Sequence, residues 1–187
     1  MQIAKRSSLS FVSTGYAETF KYVSDFQDVT ELDEFRRRKC TIVALDAVNY
    51  SRNIAQQYEE QFLRRDCNKA FCGFATESRL NDGGESAPAD HLKIISGSWG
   101  CGAYKGERAY KAIIQLIAAS EGDRNLVYVS FEDDGFKDDL EEFYRHLVVK
   151  RYTVGRLYEL LASYGKYKGE HPSKNFFNFV YESEFSS

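Results

Sequence analysis

Between Ile94 and Gly106 the chain reads IISGSWGCGAYKG, with four glycines and the only tryptophan of the molecule. Glycine loses more backbone freedom on folding than any other residue and brings no side chain to pack. Such a cluster is retained where the main chain must bend tightly or where something must approach it closely. Upstream, a short apolar run from His91 to Ser96 predicts a strand. Downstream, GERAYKAIIQLIAASEG places Ala109, Ile113, Leu116 and Ile117 on one helical face, with Ile114 and Ala118 widening it and Gly122 as the stop. Strand, glycine turn and buried helix form an arrangement that cradles phosphate. Successive N–H groups converge on the anion, and the helix N-terminus adds partial positive charge. Gly97, Gly100, Gly102 and Gly106 sit where such a cradle needs them. The alternative is a tight β–α turn that binds nothing. No Gly-Lys-Ser/Thr follows, and the spacing is not that of a dinucleotide fingerprint. Trp99 reads equally as a core residue, and Cys101, without a partner base beside it, reads as a small buried filler.

Composition narrows the partners. Charge is −3, from 25 Lys+Arg against 28 Asp+Glu, so no basic excess is available to hold a nucleic-acid backbone. An anionic ligand must be held locally. RRRK, Arg36 to Lys39, reads as a solvated loop or strand start. Aromatic residues make up 15% of the chain, which suits either stacking on ring-shaped ligands or a Phe/Tyr-rich core. Cys40, Cys67, Cys72 and Cys101 form no CxxC pair and the histidines lie apart from them, which argues against a metal site. No cofactor is expected. Neither a signal peptide nor an apolar run of membrane length is visible, so no membrane contact is expected, and reduced thiols suit the cytoplasm or nucleus.

Elsewhere, TIVALDAV (Thr41 to Val48) predicts a strand buried on both faces. NIAQQYEEQFLRRDCNKAFCGF predicts a helix ending at a turn on Gly73, and TESRLNDGGESAPADH a polar loop. Asn125 to Phe131 predicts a third strand. FKDDLEEFYRHLVVK and TVGRLYELLASY predict amphipathic helices, the second capped by Thr153. FFNFVYESEF predicts a terminal strand or a docked tail, and residues 1–10 a loose start. Strands alternating with helices imply an α/β layered fold with a largely parallel sheet.

Seven stretches together carry a resemblance: TGYAETF, RRRKCTIVALDAV, CNKAFCGF, GSWGCGAYKGE, KAIIQLIAAS, VYVSF and TVGRLYELL. In this order and spacing, from about Thr14 to Tyr164, the chain resembles the C-terminal part of the poly(ADP-ribose) glycohydrolase family. The resemblance implies a macrodomain-like α/β fold, a sheet between helices that binds ADP-ribose. The diphosphate would rest on Ser98, Trp99, Gly100, Cys101, Gly102, Ala103 and Tyr104. Tyr16 would close over the ligand and Phe131 would pack beside the nucleotide. The partner implied is poly(ADP-ribose) or ADP-ribose, including ADP-ribosylated proteins. Ser98 stands where the family usually has Asn, and Tyr104 where it has Phe. The tyrosine keeps a covering ring, whereas the serine shortens a polar arm.

The family's signature, three glycines followed by Gln-Glu-Glu, precedes TGYAE, and this sequence contains no such run. GGE at Gly83 to Glu85 and the acids of QQYEEQ are wrongly placed for it. Cleaving an O-glycosidic bond needs a positioned proton donor. The expectation is therefore a single partial macrodomain over 1–187, truncated at its N-terminal side, with no catalytic residue of its own. Its role would be that of a glycohydrolase relative, or else of an ADP-ribose-binding module without chemistry or an inert fragment.

Overall fold

A computed structural model describes residues 30–75, 93–131 and 133–185, together with the backbone pairing of 2–3, 10–14 and 21–26. Two compact units divide the chain, Met1–Ala44 and Leu45–Ser187.

In the first unit, β1 (Gln2–Ile3) pairs antiparallel with β4 (Ile42–Val43), Gln2 opposite Val43. β2 (Ser10–Thr14) pairs antiparallel with β3 (Lys21–Phe26), with an irregularity between Val12 and Ser13. The basic run lies on a solvated turn. The Asp33 carboxylate accepts from the N–H groups of Phe35 (2.9 Å) and Arg37 (2.8 Å) and from the Arg37 guanidinium (2.7 Å), while Arg36 takes a left-handed φ of 59°. Those bonds, the backbone ones first, hold the Asp33 carboxyl below the usual carboxylate range. Lys39 pairs with Glu31 at 2.9 Å. The strand expected over Thr41 to Val48 is shorter than predicted. Only Ile42 and Val43 pair, and both are well exposed rather than buried on two faces.

The second unit holds the core. A 3₁₀ turn (Ile54–Tyr58) leads into α1 (Glu60–Phe74). Then follow β5 (Ile94–Ser96), a second 3₁₀ turn (Gly102–Tyr104), α2 (Arg108–Glu121), β6 (Leu126–Tyr128), α3 (Asp134–Val149), α4 (Val154–Glu170) and α5 (Phe176–Phe185). β5 and β6 pair in parallel, Ile95 opposite Val127. Among the described residues this is the one parallel pair and the other two are antiparallel, so the pairing is mixed rather than largely parallel.

Helix α2 is the centre of the unit and packs against α1, α4, α5 and β6. Tyr110, Ile113 and Ile114 are fully buried, and the face predicted from the sequence is widened as expected. Gly122 follows α2 at its C-terminus, its N–H on the Ala118 carbonyl at 3.0 Å. Thr153 caps α4, accepting from the Arg156 N–H at 3.2 Å, and Asp133 caps α3 through the Phe136 N–H at 3.0 Å. Each cap supports its helix by about 1 kcal/mol.

Two elements depart from the sequence reading. The long helix expected from Asn53 onward breaks at Glu59, which is extended at φ −71°, ψ 140°. Gly73 lies inside α1 rather than at a turn, and the Leu45 side chain packs where a β-carbon on it would stand, 2.7 Å away. The C-terminal aromatic segment is a helix. Phe176, Phe177 and Val180 fall on one face and are buried, with the Phe177 ring stacked on Phe143 at 4.4 Å. The loop Thr76 to His91 lies outside the described residues.

Candidate functional site

The glycine turn joins β5 to α2, as its sequence predicts. Gly100 and Gly102 adopt φ of 74° and 70°, values that a side chain makes costly. Between them the chain reverses. Trp99 N–H donates to Gly97 C=O (2.7 Å), Cys101 N–H to Ser98 C=O (3.0 Å), and Gly106 N–H to Gly100 C=O (3.0 Å). Among the described residues, nothing accepts from the N–H of Gly100 or of Gly102. Close approach also explains Gly97, where a β-carbon would stand 2.8 Å from the Phe131 ring and 2.9 Å from Val129 O.

A concave space of about 390 Å³ opens on this turn, lined by Leu45, Asp46, Ala47, Gly100, Cys101, Ala103 and Tyr104. Of the residues expected to touch ligand, it brings together Gly100, Cys101, Ala103 and Tyr104. Gly102 lies on the same turn. Ser98 is turned toward β6, its hydroxyl 3.4 Å from that of Tyr128. Trp99 is half-buried with its indole N–H on the Leu45 carbonyl at 3.3 Å, so it ties the turn to the wall opposite. Phe131 stands just after β6, exposed and at a left-handed φ of 55°. Tyr16 lies outside the described residues.

The turn is fastened from behind. Gln57, buried, donates its amide to Ile54 C=O (2.9 Å) and Lys105 C=O (3.4 Å) and accepts from the Glu107 N–H (2.7 Å). Gln57 thereby ties the 3₁₀ turn before α1 to the end of the glycine turn. Tyr50 N–H donates to Tyr104 C=O at 2.9 Å. Gln115, also buried, binds Gly97 C=O at 3.0 Å and the Ser96 hydroxyl. The Glu107 carboxylate accepts from Tyr58 (2.7 Å), from Tyr164 (2.9 Å) and from the Phe176 N–H (3.0 Å), with Lys168 3.5 Å away. It thereby joins the end of the turn to α4 and α5.

Under the turn runs a chain of ion pairs. Lys111, fully buried, pairs with the buried carboxylate of Asp66, which also accepts from the Tyr50 hydroxyl (3.0 Å) and from Arg65 (3.1 Å). Arg65 reaches on to Asp46 (2.6 Å), and Lys69 pairs with Asp46 as well. The Lys69 hydrogen bond above all, with Arg65 beside it, holds the Asp46 carboxyl below its ordinary range. Burial pushes the Cys101 thiol up to about 11 against the pull of Lys111, which suits a packing residue rather than a nucleophile. Leu45–Ala47 and Lys111 fall inside stretches that carry the family resemblance, but the sequence singles out neither them nor Gln57 and Asp66 as site residues. Their signal is the folded contact with the turn.

Among the described residues no helix is long and apolar enough to cross a membrane. Among them, too, no three His, Cys, Asp or Glu side chains are grouped to hold a metal.

A parallel strand pair carrying a glycine turn into a buried helix, with helices packed around it, makes this an α/β protein. The family model described as poly(ADP-ribose) glycohydrolase, macro domain fold, matches residues 3–138. The chain belongs to that family, and matches its C-terminal catalytic region. It is 28% identical to the probable poly(ADP-ribose) glycohydrolase 2 of Arabidopsis thaliana, with 81% of this chain and 34% of the relative covered. It is 27% identical to poly(ADP-ribose) glycohydrolase 1 of Caenorhabditis elegans, covering 90% of this chain and 21% of that one. It is 30% identical to poly(ADP-ribose) glycohydrolase 2 of the same worm, covering 81% and 32%. The chain thus spans about a fifth to a third of the length of these relatives.

Proposed function

We propose that this chain holds an ADP-ribose unit of poly(ADP-ribose) for glycosidic hydrolysis, with the diphosphate on the Gly97–Gly106 turn. The observation that carries this reading is the cavity over Gly100, Cys101, Ala103 and Tyr104, beside two left-handed glycines whose N–H groups have no described acceptor. Oriented amides in such a bend favour an anion. In this reading Tyr104 covers the diphosphate and Phe131 stacks beside the base.

The lining also bears on the chemistry. Among the described residues Asp46 is the one carboxylic acid on the cavity wall, and two cations hold it ionised. A general acid for a sugar leaving group needs the opposite, a carboxyl kept protonated. In this reading Asp46 is structural, and the residues described bind and orient while the proton comes from a different carboxyl. The same observation supports the alternative of an ADP-ribose-binding module that does no chemistry. Either role suits the nucleus or cytoplasm, and ADP-ribosylated proteins would be partners through the same ligand.

Calorimetric titration with ADP-ribose tests the binding, and absence of heat and of thermal stabilisation at millimolar ligand would refute it. Incubation with labelled poly(ADP-ribose) then separates the two roles. Release of ADP-ribose identifies the hydrolase, and binding without release identifies the module.

A further inference from the structure

The buried Lys111–Asp66 pair is left unexplained by packing. Two charges taken out of water regain little net stability from each other, and an apolar pair of similar volume usually serves the fold as well. Its position is specific. The Lys111 side chain runs directly beneath the glycine turn. Its Cε would be 3.2 Å from a β-carbon on Gly106 and 3.7 Å from one on Gly100, and its Nζ 3.8 Å from the latter. Two of the four glycines therefore stand where a lysine side chain passes immediately behind them.

The ammonium group is sandwiched between the Trp99 ring, 4.8 Å from its centroid, and the Tyr50 ring, 5.2 Å away. Aromatic faces stabilise a desolvated cation while leaving its charge unneutralised. Asp66, its counter-ion, is itself shared with Tyr50 and Arg65. Three cationic residues (Lys111, Arg65, Lys69) alternate with two carboxylates (Asp66, Asp46), which leaves one positive charge in the ladder. Its inner cationic end is the one placed behind Gly100.

Resting on the diphosphate reading above, we propose that Lys111 is a positioning residue for the anion. Held by Asp66 between Trp99 and Tyr50, it puts a buried positive charge behind the Gly100 and Gly106 backbone, so that the turn prefers a doubly charged diphosphate. It acts through the turn and touches no ligand. Trp99 has a role in the same device, as the lid that keeps water from the ammonium.

The test uses the full chain with Lys111→Met combined with Asp66→Asn, which removes both charges and strands neither, and Lys111→Arg, which keeps the charge. Inorganic pyrophosphate and ADP-ribose are titrated by calorimetry, and thermal unfolding is followed in parallel. The neutral pair is expected to unfold cooperatively near the wild-type temperature. Net charge is unchanged in this variant, but the turn loses the nearer, positive end of the Lys111–Asp66 pair. Affinity for both ligands should therefore fall about threefold, less than an unpaired charge at that distance would cost. The arginine variant should keep most of the affinity, which a requirement for side-chain shape would not allow. Wild-type affinity for pyrophosphate in a folded neutral pair overturns the proposal. If that variant does not fold, the arginine variant decides: affinity retained upholds the role of charge, and affinity lost in a folded protein overturns it. A wild type that binds pyrophosphate but not ADP-ribose refutes the proposed function alone, and one that binds neither refutes both.

Discussion

Gly106 donates its N–H to the carbonyl oxygen of Gly100 at 3.0 Å, and a β-carbon on Gly106 would stand 2.6 Å from that same oxygen. The turn is closed backbone to backbone, at a distance that no side-chain rotation can relieve. Gly106→Ala must therefore open it. The expected result is a destabilisation of about 1–3 kcal/mol in urea unfolding, the range for an overpacked contact, and loss of ADP-ribose binding. Gly169→Ala is the control. Gly169 lies in α4 with open space around it, and alanine there should stabilise by up to about 1 kcal/mol. Equal stability of Gly106→Ala and wild type would mean that the turn does not close in this way.

The cysteines should divide by environment. Burial pushes the thiol of Cys67 up to about 12 and that of Cys101 to about 11, whereas Cys40 and Cys72 are exposed. Because the thiolate is the reactive species, iodoacetamide at about pH 8 should alkylate Cys40 and Cys72 and spare the other two until the chain unfolds. Peptide mass mapping checks this. Early labelling of Cys101 would show a turn open to solvent.

Glu107 sets an alkaline limit on stability. Burial first, and then the charge and hydrogen bonds of Glu107, raise the phenols of Tyr58 and Tyr164 above the ordinary tyrosine value. A raised folded-state value means that the folded chain retains protons which the unfolded chain releases. The contribution is complete below about pH 10 and is lost as pH rises beyond it toward the folded values. Denaturant unfolding between about pH 9 and 11 should show stability falling. Glu107→Gln weakens bonds to a charged acceptor, for an expected loss of about 1.5–3 kcal/mol at neutral pH. It should also make the alkaline decline shallower. A decline of unchanged steepness would place its origin in other tyrosines.

The sequence disclosed what is local. The period of α2, the caps Thr153 and Gly122, and the strand–turn–helix around Trp99 follow from neighbours within a few residues. Lys111 is different. It sits between Tyr110 and Ala112 and reads as an ordinary helix lysine, because its partner Asp66 lies 45 residues upstream. Gln57 likewise bonds Lys105 and Glu107, far along the chain, inside what reads as a continuous helical pattern. TIVALDAV has the composition of a doubly buried strand, yet pairing needs a partner, and only Ile42 and Val43 have one. Phe176 to Phe185 was ambiguous because aromatic residues suit strands. Packing of Phe176, Phe177 and Val180 on one face decided for helix.

Phe131 offers the sharpest separation of binding from folding. It is 72% exposed, its φ of 55° is unfavourable for a residue with a β-carbon, and its ring edge rests over Gly97. The flanking loop is clamped by Arg108, which pairs with Asp133 and lies 4.2 Å from the centroid of the Phe136 ring. A large apolar side chain held out in solvent, on strained backbone and a fixed loop, contributes little to the fold. Phe131→Gly should leave stability unchanged or raise it by up to about 1 kcal/mol, because the backbone strain disappears. Affinity for ADP-ribose should fall by about 1–3 kcal/mol, the scale of a lost base–aromatic stack. Calorimetry and urea unfolding on the same preparation measure both. The opposite pattern, weakened folding with binding intact, would make Phe131 a packing residue for Gly97 and remove it from the site.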